Sequence, residues 1–288
     1  MAEDSDRIRQ KIEDIQDIPT LPTVVNQILL ATQSPSTNAS DVGNMISEDI
    51  ALTGKVLKLV NSSFYGFPQQ IKTITYAIVI LGFNKVKNIV LSASVFDAID
   101  RKTKDKRFDI VEFWKHALGT AIASRVAARN LTSMEIEEAF IAGLIHDIGK
   151  VILSNYLTEE CVSVLDEIEK KDILFMEAED EVIGFGHDRI GLWLMDKWKL
   201  PQPFQEAVLC HHTPLKARGN KEYTYVVHVG DIVARSLDIG NGGDQKIPAM
   251  EKKVWKELGF SLKIMDRVME ETMNELSRAK EFLDMIES

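Results

Sequence analysis

The chain is poor in the features that mark many function classes. Only Cys161 and Cys210 occur, too few for a disulfide framework, so two free thiols in a reducing compartment are expected. No apolar run approaches the roughly 18 residues of a membrane-crossing helix. The acidic start Met1-Ala2-Glu3-Asp4-Ser5-Asp6 leads into no apolar signal region. A cytoplasmic protein with no membrane partner is expected. Positive charge is also short: 34 Lys+Arg against 44 Asp+Glu leave a net −10. That balance lacks the basic footprint of a nucleic-acid binder, and no nucleic-acid partner is expected. Proline is missing from position 69 to position 200. Because proline breaks helix interiors, the gap predicts long helices with short connections. Neither a βαβ alternation nor a Gly-rich phosphate loop is present.

What is there is ordinary in bulk and unusual in placement. The 288 residues are 45% hydrophobic, as globular chains are. A chain of this length buries about three quarters of its unfolded surface. Apolar residues recur at three-and-four spacing: Ile8, Ile12 and Ile15; Leu52, Val56, Leu59 and Val60; Ile74, Ala77, Ile78 and Leu81; Val86, Ile89, Val90 and Ala93. This is helical periodicity, and the fold class is all-α. The run Tyr76 to Leu81 has strand-like composition, but its helical neighbours favour helix. Thr132 and Glu135 have capping-box spacing before the apolar stretch Ile136 to Ile145. The charge run Lys102 to Arg107 and the Gly-rich stretch Asp238 to Gln245 are candidate boundaries. They divide the chain into an N-terminal helical lobe (1–107), a histidine-bearing lobe (108–240) and a C-terminal extension (241–288). Within the extension, 261–288 reads as one amphipathic helix with heptad-like spacing from Leu262 to Ile286. It can dock on its own core or form a partner or homodimer seam.

All six histidines lie between positions 116 and 228. The centre is Gly143-Leu144-Ile145-His146-Asp147-Ile148-Gly149-Lys150, at the end of an apolar helical stretch. A buried Asp is costly unless paired or coordinated. Other donors stand at intervals of tens of residues: His116, His187, His211, His212 and Asp231. Imidazoles and carboxylates suit one or two divalent transition ions, with Fe, Mn, Zn and Ni all open. A carboxylate can bridge two ions, as two-metal hydrolytic sites require, and Asp147 is the candidate bridge. Lys150 follows three residues later. It either faces the same pocket, where it would bind an anionic substrate, or faces solvent at a helix end. Asp147 and Lys150 are therefore the catalytic candidates. His211 and His212 point about 100° apart on a regular helix, so both ligate only at a helix end or across two ions. His228, one turn before Asp231, reads as a core or supporting histidine. Asn61, Ser62 and Ser63 read as a cap, and Trp193 and Trp198 as core.

Residues 143–150 resemble the signature of the HD superfamily of metal-dependent phosphohydrolases. Ile18-Pro19-Thr20-Leu21-Pro22, Ile46-Ser47-Glu48-Asp49, Leu57 to Gly66 and Ala77 to Gly82 resemble the narrower HDOD domain. Glu181, His187, Trp198-Lys199-Leu200-Pro201 and Cys210-His211-His212 fit the same family, so the resemblance spans about 10–240. It implies an all-helical protein with an N-terminal lobe packed on an HD-like lobe, acting as a bacterial signalling output module with a signalling-protein partner. The donors His116, His146, Asp147, His187, His211, His212 and Asp231 also match, in order, the ligand set of the related HD-GYP phosphodiesterases. Glu112 stands where some of those carry a further ligand. That second resemblance implies a phosphohydrolase acting on a nucleotide or other phosphoester. Thr213-Pro214-Leu215-Lys216 replaces the Gly-Tyr-Pro loop that names that family, which argues against cyclic di-GMP hydrolysis.

Overall fold

Side-chain caps mark where several of the helices begin. The computed structural model describes residues 15, 19–31, 37–98, 103, 105–129 and 134–287, and every regular element among them is a helix. The first five are α1 (Thr23–Ala31), α2 (Ala39–Ser47), α3 (Ile50–Val60), α4 (Ile74–Leu81) and α5 (Phe83–Ala98). Asn38 accepts the amides of Ser40 and Asp41, and Asp41 accepts the amide of Asn38, a reciprocal cap for α2. Asp49 and Thr73 cap α3 and α4. The run from Tyr76 to Leu81 is thus helical, as its neighbours predict.

The chain divides into two compact units: residues 19–99 with 273–288, and residues 1–18 with 100–272. In the first, α1 to α5 bury Ile28, Ile46, Val56, Leu59, Ala77 and Val90. Each fully buried Val, Leu or Ile side chain contributes about 1.5–3 kcal/mol of transfer free energy. The last helix belongs to this unit, with Phe282 edge-on to Phe64 at 5.2 Å.

The second unit holds α6 (Ile110–Ala128), α7 (Ile136–Ile145), α8 (Ile148–Tyr156), α9 (Thr158–Lys171), α10 (Phe175–Val182), α11 (His187–Lys197), α12 (Gln202–Cys210), α13 (Lys221–Ser236) and α14 (Lys252–Glu257). Asp109 starts α6 by accepting the amides of Val111 and Glu112. From Phe113 onward α6 is buried on nearly every side, because α7 and α13 pack along it. A helix with no polar face is a core helix. Its small residues Gly119, Thr120, Ala121, Ala123 and Ser124 are all buried, which brings the neighbouring helices close.

Several expectations change. Residues 261–288 form two helices, α15 (Leu262–Leu276) and α16 (Lys280–Glu287), rather than one. The amides of Arg278 and Ala279 turn back to Glu275 and Leu276, and the Ser277 hydroxyl donates to Asn274 O at 2.7 Å. The buried side chains differ too. Leu262 is exposed, while Val268, outside the heptad series, is buried. Residues 241–288 are shared between the units, through Thr272 in one and from Met273 in the other. Glu135 caps α7 without a side-chain bond. Thr132, Ile8, Ile12, Lys102 and Lys104 lie outside the described residues, and Ile15 is in no helix. Trp198 is buried as expected, but Trp193 is half-buried, with the Lys197 ammonium 4.5 Å from its ring centre. Asn61 ends α3, and its amide side chain also bridges to the backbone of Ile71.

Candidate metal centre

The donors arrive on separate helices of the second unit, each at a place the local sequence fixes. His116 lies in the second turn of α6. His146 and Asp147 form the break between α7 and α8, where Asp147 has ψ near 9° and leaves helical geometry. That break lets two adjacent residues face one centre. His187 opens α11, His211 ends α12 with His212 just beyond, and Asp231 sits in α13. The doublet therefore occupies a helix end, as two inward-facing neighbours require. Gly149 is fixed by close approach: a Cβ there would lie 1.9 Å from the His187 carbonyl oxygen. That contact seats α11 against the start of α8.

The seven donors form two groups, Asp147–His187–His211–His212 and His116–His146–Asp231. Asp147 serves both. Its Oδ1 lies 2.9 Å from His187 Nε2 and 3.3 Å from His211 Nε2. Its Oδ2 lies 3.4 Å from His146 Nε2 and 3.7 Å from His116 Nε2. Asp231 Oδ1 closes the second group, 3.2 Å from His116 Nε2.

Hydrogen bonds at the far side of the rings assign the tautomers. Nδ1 of His146 faces Gly143 O at 2.7 Å, and Nδ1 of His211 faces Val208 O at 2.8 Å. A carbonyl only accepts, so each Nδ1 donates, and in the neutral ring Nε2 holds a lone pair toward the centre. His187 Nδ1 likewise donates to Glu179 Oε2 at 2.6 Å. The Nε2 atoms of His187 and His211 are only 3.4 Å apart, and that of His212 is 3.0 Å from His187. Lone pairs so close repel unless a proton or cation lies among them. An ion about 2.1 Å from each nitrogen places its ligands about 3.0–3.4 Å apart. Asp147 Oδ1, His146 Nε2 and His116 Nε2 are buried and make no hydrogen bond. Buried polar atoms are rarely left unpaired. Donor chemistry, spacing and unpaired atoms all fit a metal.

The charges agree. Burial alone would raise the Asp147 carboxyl, but His146, Lys150 and His187 outweigh it and hold it well below the usual range. Asp231 is likewise held low against burial by Arg235 and His116. Burial lowers His116, His211 and His212, which keeps their lone pairs free. Burial disfavours a charge on His187 too, but Glu179 pushes it up to about 9. Without metal, a proton on His187 relieves the crowded nitrogens.

Lys150 does not face solvent. It is fully buried, its Nζ 2.6 Å from Asp147 Oδ2 and 2.9 Å from Gly242 O. The Glu112 side chain pairs with Lys115 at 3.0 Å and joins neither group. His228 is satisfied elsewhere: Nδ1 donates to His211 O, and Nε2 accepts from Glu251 N. Sequence reading missed Glu179, which accepts both the amide and the ring N–H of His187. It also missed Arg235, which donates to Asp231 at 2.8 Å and Asp244 at 2.9 Å. The i,i+4 spacing of Asp231 and Arg235 was a readable signal; Glu179 offered none. Glu181, which fits the family pattern, pairs at the surface with Lys171.

Fold and site together define an all-helical protein built around a histidine–aspartate cluster able to hold metal. A sequence model of the HDOD domain matches residues 18–214, and the chain belongs to the HDOD family. An uncharacterised protein of Treponema pallidum is 29% identical over 237 residues, covering 81% of this chain and 45% of its own length. YuxH, an uncharacterised Bacillus subtilis protein, is 26% identical over 151 residues, 52% of this chain and 34% of its own. The chain thus spans less than half the length of these curated relatives. An HDOD domain protein of unknown function from Geobacter sulfurreducens has a TM-score of 0.77 at 21% identity, covering 100% of this chain and 98% of that one. A Marinobacter aquaeolei protein, provisionally named a signal transduction protein, gives 0.81 at 20%, covering 100% and 66%. A Shewanella amazonensis protein, provisionally named a phosphohydrolase, gives 0.75 at 22%, covering 96% and 97%. These likenesses establish the fold. Among the described residues, no helix is long and apolar enough to cross a membrane.

Proposed function

We propose that this chain is a bacterial signalling output module of the HDOD type that binds two divalent transition ions bridged by Asp147. The carrying observation is closure around a complete donor set. Six of the seven donors are between 0 and 2% exposed. The cations beside them, Lys150 and Arg235, are tied to the chain's own Gly242 and Asp244. Such a centre is built to hold ions rather than to admit and release substrate continually. Bound metal would stabilise and report the state of its lobe. A signalling protein is the expected partner, and Tyr76, Val79 and Ile80 offer it an exposed apolar face on α4.

A second reading, a phosphohydrolase, is favoured by the shared Asp147 and by His212, the one donor that is only half-buried. When bound, a bridged pair of ions supplies Lewis acidity and an activated water. In that reading Asp147 would hold the ions and Lys150, freed from Gly242, would orient the phosphoester. One experiment separates the two. Protein is loaded with iron, manganese, zinc or nickel, its metal content is measured, and it is assayed on a phosphodiester, nucleotides and cyclic dinucleotides. The module reading expects two ions per chain and no turnover that depends on Asp147. Turnover that Asp147→Ala abolishes would establish the enzyme instead.

A further inference from the structure

The segment 239–246 lies across one half of the cluster and is held there by buried polar bonds. The amide of Asn241 donates to Glu112 O at 2.9 Å, and Gly242 O accepts from the Lys150 ammonium. Asp244 is buried, with one oxygen accepting from Arg235 Nη1 at 2.9 Å and the other from the Phe175 amide at 3.0 Å. The same Arg235 nitrogen donates to Lys246 O at 3.0 Å, and Lys246 itself pairs with Asp172. Through Nε, Arg235 also holds Asp231. One guanidinium thus joins the segment to a donor of the His116–His146–Asp231 group. The approach is close. A Cβ on Gly242 would lie 2.9 Å from Arg235 Nη2 and 3.3 Å from His116 Nε2. In the other group, His212 is half-buried.

We infer that residues 239–246 form a latch over the His116–His146–Asp231 group, so that its ion exchanges slowly while the ion at His187–His211–His212 exchanges freely. This rests on the two-ion reading above. Buried ion pairs lose much when one partner is removed, so Arg235–Asp244 is the bond that keeps the latch shut.

The test is zinc release. Protein carrying two zinc ions is mixed with excess coloured chelator and the release is timed. The wild type is expected to release one ion fast and one slowly. Asp244→Ala should speed the slow ion roughly tenfold or more and leave the fast one unchanged. Gly242→Ala, which crowds Arg235 and His116 instead of removing a bond, should act in the same direction and guards against misfolding of the first variant. His212→Ala should remove the fast phase and keep the slow one. Equal release of both ions, or a slow phase unmoved by both latch variants, overturns the latch while leaving two-ion binding intact. Failure of the wild type to take up zinc overturns the two-ion reading and the latch with it.

Discussion

Each oxygen of Asp147 faces a different set of imidazoles, so one substitution should reach both groups. Asp147→Ala is expected to take metal content from two ions to below one, whereas His212→Ala should cost one at most. Elemental analysis decides, and wild-type content in Asp147→Ala would end the bridging role. Glu179 acts through His187, fixing its ring by two hydrogen bonds. Supporting bonds of this kind are worth about 10–100-fold in metal affinity. Glu179→Gln should weaken zinc binding by that factor, seen in competition titration, while far-UV circular dichroism stays unchanged. The cysteines allow a pH prediction. Burial pushes the Cys161 thiol up to about 12, and burial also raises Cys210. A raised thiol contributes stability that is whole below its unfolded pKa, near 8.5, and that is lost as pH climbs toward 12. Both thiols should therefore resist disulfide reagents at pH 8 until the chain unfolds, and thermal stability should fall above pH 9. Rapid labelling of Cys161 in the native protein would contradict this.

At the scale of helices, the decisive feature is the α7–α8 break and what packs on it. The position of Gly149 under His187 leaves no space for a methyl group. Overpacking of this kind costs about 1–3 kcal/mol or more. Gly149→Ala should lower the melting temperature and weaken metal binding together; a variant that melts like wild type would show that α11 is not seated there. Helical periodicity was legible throughout the proline-free stretch, because burying one face imposes a repeat of 3.6 residues. The C-terminal break was not legible. Neither glycine nor proline marks Ser277 to Ala279, and the turn is fixed by what Ala279 and Phe282 bury. A heptad pattern records spacing alone, and it selected Leu262, which is exposed, over Val268, which is not.

At the scale of the whole chain, all seven donors lie in the unit of residues 100–272. A ligand that binds only the folded state stabilises by about 2.7 kcal/mol at a hundred times its Kd. Metal removal should therefore speed hydrogen exchange in 136–152 and 221–236 and leave 39–98 unchanged. Equal acceleration in both would mean that the units unfold as one. The sequence by itself determined the helical class, through periodicity, and the donor types, through the scarcity of Cys beside a series of His and Asp. Local chemistry is written in residue identity. Only the tertiary structure decided which donors share an ion, that Lys150 is sealed rather than exposed, that Glu112 stays outside, and that Glu179, Arg235 and Asp244 hold the rest in place. Those outcomes depend on distances between helices tens of residues apart, set by how closely small residues let backbones approach, and no spacing along the chain encodes them.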